Sequence, residues 1–208
     1  MSQAAHAADA AMLEHAVDPA ESPLTPESWG KLGMWVFLAA DAMSFGGLLA
    51  GYGALRYASH NWPDPKAALG IQLTAFMTFL LICSSVTMVK SLSAMRRGDR
   101  KGVAIFLALT ILGGATFLGL QAYEWTHLIH RGMTISANAW GSPLFGTTFY
   151  ILTGFHGMHV LSGVIYLSVI LIQSMRQKIG YNEIEIVGLY WHFVDLIWIL
   201  VFTFVYLL

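Results

Sequence analysis

The chain has 208 residues, of which 56% are hydrophobic and only 11% charged, whereas soluble domains carry about a quarter charged residues; this places it in the membrane class and excludes a cytosolic enzyme. The net charge of −1 conceals a split, because residues 1–28 hold five acids (Asp9, Glu14, Asp18, Glu21, Glu27) and no Lys or Arg, which leaves the remainder net positive. The basic residues lie in short runs between apolar segments, which excludes a nucleic-acid stripe, and the single Cys83 excludes an internal disulfide or a paired-cysteine metal centre.

Residues 1–28 combine Ala, acids, His and three of the six prolines without apolar periodicity, the composition of a disordered, solvated tail. A basic start followed by an apolar stretch, the mark of a signal peptide, is missing. Residues 29–208 then read as one all-α domain of five transmembrane helices at about 31–57, 70–94, 102–129, 144–175 and 186–208. Each exceeds the ~20 helical residues needed to cross ~30 Å of hydrocarbon. Lipid cannot satisfy an unpaired backbone amide, so helix is the only open-chain solution. All six prolines fall outside these stretches.

The side bearing the N-terminus and the second and fourth loops collects Lys31, Lys90, Arg96, Arg97, Arg100, Lys101, Arg176 and Lys178; the other side has Arg56, Lys66 and Arg131. This asymmetry predicts a cytoplasmic N-terminus and an outer C-terminus. Arg96 and Arg97 are topology determinants on this reading, with lipid headgroups as a second role. Trp29 on one side and Trp62, Trp125 and Trp140 on the other suit interfacial positions. Small residues four apart, Gly47 with Gly51, Ala115 with Gly119 and Thr153 with Gly157, suggest close helix approaches.

Ionisable residues at membrane depth are costly unless paired, which makes Asp41, His156, His159, His192 and Asp195 informative. Counting from the helix ends puts Asp41, His156 and Asp195 about 15 Å deep, at 1.5 Å per residue, where they can share one layer. His192 and Asp195 share a face at i,i+3, as do His156 and His159. The layer reads either as hydrogen bonds that hold the helices in register or as a proton-handling or cofactor site. His192 with His156 or His159 would be the pair for a bis-histidine haem, but three intramembrane histidines fall short of a haem plus a copper centre. Glu124, His127 and His130 resemble one arm of a di-iron site without its second arm; at the outer interface they are expected to meet headgroups.

Several motifs resemble one family, subunit III of the haem-copper respiratory oxidases, which includes cytochrome c oxidase subunit III and its counterpart in cytochrome o-type quinol oxidases. They are Gly154-Phe155-His156-Gly157-Met158-His159-Val160 with Gly163, and Tyr190-Trp191-His192-Phe193-Val194-Asp195 with Trp198 and Glu185. Gly33-Met34-Trp35, Trp62-Pro63, Gly98-Asp99-Arg100 and Gln121-Ala122-Tyr123-Glu124 add to them. The resemblance covers about residues 28–208. Larger members have seven helices in two groups, and this chain has the five-helix group. Asp41 stands where cytochrome c oxidases of the family usually carry glutamate and the quinol oxidases aspartate, while Gly154-Phe155-His156 and Gln121-Ala122-Tyr123-Glu124 lean toward the cytochrome c branch.

The resemblance implies a bacterial plasma-membrane subunit with no catalytic, cofactor or metal site of its own, haem and copper residing in its partners. Those partners would be the catalytic subunit I, subunit II and a small subunit IV, in a proton-pumping complex that reduces oxygen to water. It also implies bound phospholipid, support of proton uptake, and structural, lipid- or proton-linked roles for Asp41, Glu124, His156, His159, Glu185, His192 and Asp195. Rival expectations are the accessory membrane protein of nitric oxide reductase, a free-standing transporter and a b-type cytochrome.

Overall fold

A computed structural model describes residues 29–208; the acidic segment 1–28 lies outside the described residues. The described chain is α1 (Trp29–Ala58), a short α2 (Pro65–Ala68), α3 (Ile71–Arg96), α4 (Arg100–His130), α5 (Pro143–Met175) and α6 (Tyr181–Val201), which runs on as a π-helix over Phe202–Leu207. Among the described residues five helices are long and apolar enough to cross a membrane, the last being Tyr181–Leu207. The fold is the all-α bundle that the composition requires.

Helix ends follow local chemistry. Asp64 accepts from the Lys66 amide at 3.0 Å, and Asp99 accepts from the Gly102 amide at 3.0 Å, so each satisfies an otherwise orphaned N–H. Between α3 and α4 the chain reverses through Gly98, whose φ of +71° suits a residue without Cβ. The fifth span begins five residues before the predicted 186. Asn182, Glu183 and Glu185 interrupt the apolar run there, yet the Glu183 carboxylate accepts from the Gly180 amide at 2.9 Å and starts the helix earlier.

Helix α4 packs between α3 and α5, α6 packs against α1, α3 and α5, and α1 reaches the bundle through α5 and α6. α6 is the most buried span and α1 the least. The α6–α3 seam is pinned by two indoles: Trp191 Nε1 donates to Ser84 Oγ at 3.0 Å, and Trp198 Nε1 donates to Thr78 Oγ1 at 2.9 Å. The Trp191 ring sits in a notch between Gly114 of α4 and Gly163 of α5, where a methyl group at Gly163 would come within 2.9 Å of the ring. Phe117 meets Trp198 edge to face at 4.7 Å in the centre of the bundle.

The predicted small-residue contacts are realised only in part. A Cβ at Gly47, Gly51 or Gly119 would meet nothing within 4 Å, so those pairs make no close approach within the described residues. Thr153 and Gly157 do: the Gln121 side chain donates to the Thr153 carbonyl at 2.7 Å and lies where a Cβ on Gly157 would stand. A four-residue spacing marks a flat stripe on a helix without saying whether the stripe faces a neighbour of the same chain.

Candidate functional site

The polar residues at membrane depth separate into distinct clusters instead of one layer. Asp41 of α1 meets His159 of α5, with Oδ1 3.3 Å from Nε2. The other ring nitrogen, Nδ1, lies 2.8 Å from the Phe155 carbonyl, an acceptor only, so Nδ1 carries a proton. Nε2 then either accepts from a protonated Asp41 or, as imidazolium, donates to a carboxylate. In both cases the dyad holds one proton between two groups. The rings of Phe45 and Phe155 stand 5.2 and 4.7 Å from the imidazole and shield the pair. Asp41 Oδ2 is buried and has no hydrogen-bond partner among the described residues.

Asp195 of α6 faces α3, where Ser85 donates to its Oδ2 at 2.7 Å. Its Oδ1 is buried and unpartnered among the described residues. His192, one turn earlier, is half-buried. Glu185, nearer the N-terminal end of α6, pairs with Lys31 of α1 at 2.9 Å.

His156, expected to share a layer with Asp41 and Asp195, is fully buried in an aromatic box. Its ring centroid lies 4.8 Å from that of Trp198, 5.7 Å from Phe117 and 6.5 Å from Phe45. Neither ring nitrogen has a hydrogen-bond partner among the described residues.

Glu124 overturns the expectation that it meets headgroups. Its carboxylate is buried and accepts from Thr74 Oγ1 at 3.0 Å and from Tyr206 Oη at 3.1 Å, which ties α4 to α3 and to the C-terminal π-helix. His127 and His130 on the same helix are exposed. Glu124 therefore does not face the same way as the two histidines. Among the described residues no group of three or more His, Cys, Asp or Glu side chains is arranged to hold a metal ion.

Ser85, Thr74 and Tyr206, which complete these clusters, were not predicted as site residues. A signal for the first two exists in the sequence. Hydroxyls recur along α3 at Thr74, Thr78, Ser84, Ser85, Thr87 and Ser91, a spacing that keeps them near one side of an otherwise apolar helix.

The sequence profile of the family described as cytochrome c oxidase subunit III matches residues 28–208 of this chain. The chain belongs to the cytochrome c oxidase subunit III family. It is 38% identical over 180 residues to quinol oxidase subunit 3 of Bacillus subtilis (strain 168), covering 85% of this chain and 86% of that protein. It is 39% identical over 181 residues to cytochrome c oxidase subunit 3 of Corynebacterium diphtheriae, covering 84% and 86% of the two chains. To cytochrome c oxidase subunit 3 of Bacillus sp. (strain PS3) it is 33% identical over 180 residues, covering 85% and 84%.

As a subunit III it is a multi-pass membrane protein that associates with other subunits of a haem-copper terminal oxidase. The buried clusters are thus features of a non-soluble, multi-subunit assembly, and polar atoms left unpartnered in this chain can be satisfied by a neighbour.

Proposed function

We propose that this subunit III carries no redox centre and serves the catalytic subunit of its oxidase as a structural, lipid-binding and proton-linked companion. The Asp41–His159 dyad is the observation that carries the reading. Asp41 Oδ1 and His159 Nε2 face each other 3.3 Å apart near the middle of two spans, under an aromatic cover, a geometry in which one proton serves both groups. A dyad of that kind holds a proton at membrane depth without a net buried charge. Two features support a chain without haem: His156 is fully buried with its ring packed against Trp198 and Phe117, and His159 Nε2 faces Asp41.

Lipid binding is supported by an apolar recess of about 480 Å³ at the outer end of α4 and α5, lined by Trp125, Ile129, Ile135, Tyr150 and Ile151. Its volume and lining suit acyl chain. The charge asymmetry of the loops supports a cytoplasmic N-terminus in a bacterial plasma membrane, and the relatives named above are bacterial. On the wording of the Gly154-Phe155-His156 and Gln121-Ala122-Tyr123-Glu124 motifs we assign cytochrome c as electron donor to the complex, with subunits I, II and a small subunit IV as neighbours.

The test is the Asp41→Ala variant of the intact complex. Haem content stays at the parental level, while the enzyme loses activity during turnover faster or retains less phospholipid. Parental inactivation kinetics together with parental lipid content would falsify the role of the dyad. The redox spectrum and donor preference of the purified complex check the assignment of cytochrome c.

A further inference from the structure

The end of the bundle at which α1 begins carries a rim of exposed cations. Arg96 closes α3, Arg97 follows it, Arg100 and Lys101 open α4, and Arg176 and Lys178 lie between α5 and α6. Two of them draw three elements together: Arg96 Nε donates to Tyr181 Oη at 3.0 Å at the start of α6, and Arg100 Nη1 donates to the Ile179 carbonyl at 3.0 Å. The Arg96 guanidinium also lies over the Tyr181 ring, 5.0 Å from its centroid, and Arg97 donates to Ser93 Oγ at 2.7 Å. All of these partners are neutral.

The acids at the same end are committed elsewhere. Asp99 caps α4 through the Gly102 amide, Glu183 accepts from the Gly180 amide, and Glu185 pairs with Lys31. Among the described residues none of the six rim cations forms an ion pair. Arg100 and Lys101 even stand in the first turn of α4, which holds no acid, although the positive end of the helix dipole favours anions there. The described bundle therefore leaves this end with surplus positive charge gathered in one place.

The same chain holds the opposite charge. Residues 1–28 contain five acids and no Lys or Arg, and they join the bundle at Trp29, at this very end. Asp18 precedes Trp29 by eleven residues, and eleven residues reach up to about 35 Å. Helix α4 stands two helix spacings from α1 by way of α5, or roughly 20 Å. Tethering holds these carboxylates near the rim at an effective concentration on the order of millimolar. Proximity matters because the Debye length is about 8 Å at physiological salt. Anionic headgroups compete for the same cations, but a segment whose charged side chains are all acidic is repelled by an anionic leaflet and attracted by the rim.

We infer that the acidic segment 1–28 of this chain is the counter-charge of the basic rim formed by Arg96, Arg97, Arg100, Lys101, Arg176 and Lys178, and covers that rim in the assembled oxidase. The contact is electrostatic and weakens as salt rises. While it holds, the segment withholds these cations from anionic headgroups and from acidic surfaces of other proteins.

The experiment uses the intact complex in nanodiscs of phosphatidylcholine. A water-soluble carbodiimide joins a carboxylate to a lysine amine as an amide, with loss of water. Because Lys31 is the first basic residue, trypsin releases the acidic segment as residues 1–31. That peptide is expected to be found joined to the peptides holding Lys101 and Lys178 at low salt, and no longer so at high salt. In parallel, a variant in which Asp9, Asp18 are replaced by Asn and Glu14, Glu21, Glu27 by Gln is compared with the parent, its haem and subunit content confirming that the complex is intact. Acetylation of Lys101 and Lys178 at low salt is expected to be about threefold faster in the variant, the scale of one kT of surface potential, and equal in the two at high salt. Lys66, exposed at the opposite end of the bundle, should react alike in both. Absence of the amide adducts together with equal acetylation of parent and variant would overturn the inference. Adducts of Lys101 and Lys178 with another oxidase subunit in place of residues 1–31 would overturn it in favour of that subunit. Protection that appears only when phosphatidylglycerol is added to the discs, alike in both chains, would give the rim to lipid headgroups.

Discussion

Trp198 of α6 donates its indole N–H to Thr78 Oγ1 of α3 at 2.9 Å, two turns along from the matching bond of Trp191 to Ser84 at 3.0 Å. The two indoles are seven residues apart, so they leave α6 in nearly the same direction and clasp the antiparallel α3 at two heights. Thr78 in turn donates to the Thr74 carbonyl at 2.8 Å, and Thr74 donates to Glu124, so the seam continues into the carboxylate cluster near the start of α3. Removing one clasp should be tolerated and removing both should not. Thr78→Ala is expected to destabilise the bundle by about 0.6 kcal/mol, the average for hydrogen bonds between membrane helices, and by no more than about 1.7 kcal/mol. Unfolding of the purified protein in graded denaturing detergent checks this, and Thr78→Ala combined with Ser84→Ala should shift the midpoint by more than either alone.

Glu124 is the anchor of the C-terminal turn. Its two carboxylate oxygens are each matched to one donor, Thr74 and Tyr206, and all three groups are buried. Tyr206→Phe removes one donor and leaves one carboxylate oxygen without a partner, at a cost of about 1–3 kcal/mol. Hydrogen exchange in Phe202–Leu207 should become faster in this variant while exchange in α5 stays unchanged. Glu124→Leu strands the Tyr206 hydroxyl and leaves Thr74 Oγ1 only the Gly70 carbonyl at 3.2 Å, so it should loosen the contact between α4 and the start of α3 as well.

The bundle itself was legible because its signals are one-dimensional. Length, apolarity and proline placement define a span whatever surrounds it, and five spans follow from them. The clusters were not, because depth can be counted along a helix but the direction a residue faces depends on its neighbours. His156 and His159 differ by one turn, yet one faces Phe117 and Trp198 and the other faces Asp41. Glu124 lies near a helix end, and only the approach of Thr74 and Tyr206 from elsewhere in the chain turns that end into interior. The same limit applies to Gly47 and Gly51: the sequence marks a surface suited to close packing but does not name the surface that meets it.

Close packing around Trp191 makes two glycines intolerant of a single added carbon. A Cβ on Gly163 would lie 2.9 Å from the indole, and one on Gly114 would lie 2.7 Å from Val164 and closer still to the indole. Gly114→Ala and Gly163→Ala are each expected to cost about 1–3 kcal/mol through overpacking. Gly119→Ala, with nothing within 4 Å, serves as the control; it is expected to stay within about 0.5 kcal/mol of the parent. Midpoints of thermal unfolding in mild detergent rank the three.

Substitution of Asp41 by asparagine separates the two things the dyad can do. The amide of Asn can donate one hydrogen to His159 Nε2 while His159 Nδ1 keeps its bond to the Phe155 carbonyl, so the contact between α1 and α5 is retained. What Asn cannot do is take up or release the shared proton. Asp41→Leu loses both the hydrogen bond and the proton, and leaves Nε2 facing a methyl group. If the dyad only fixed helix register, Asn would match the parent in stability and in lifetime under turnover, and Leu alone would fail. If it is proton-linked, as proposed, Asn matches the parent in stability and haem content but inactivates during turnover as Leu does. We expect the second pattern, and turnover-dependent loss of oxygen consumption in the three complexes, measured alongside their thermal midpoints, decides between them.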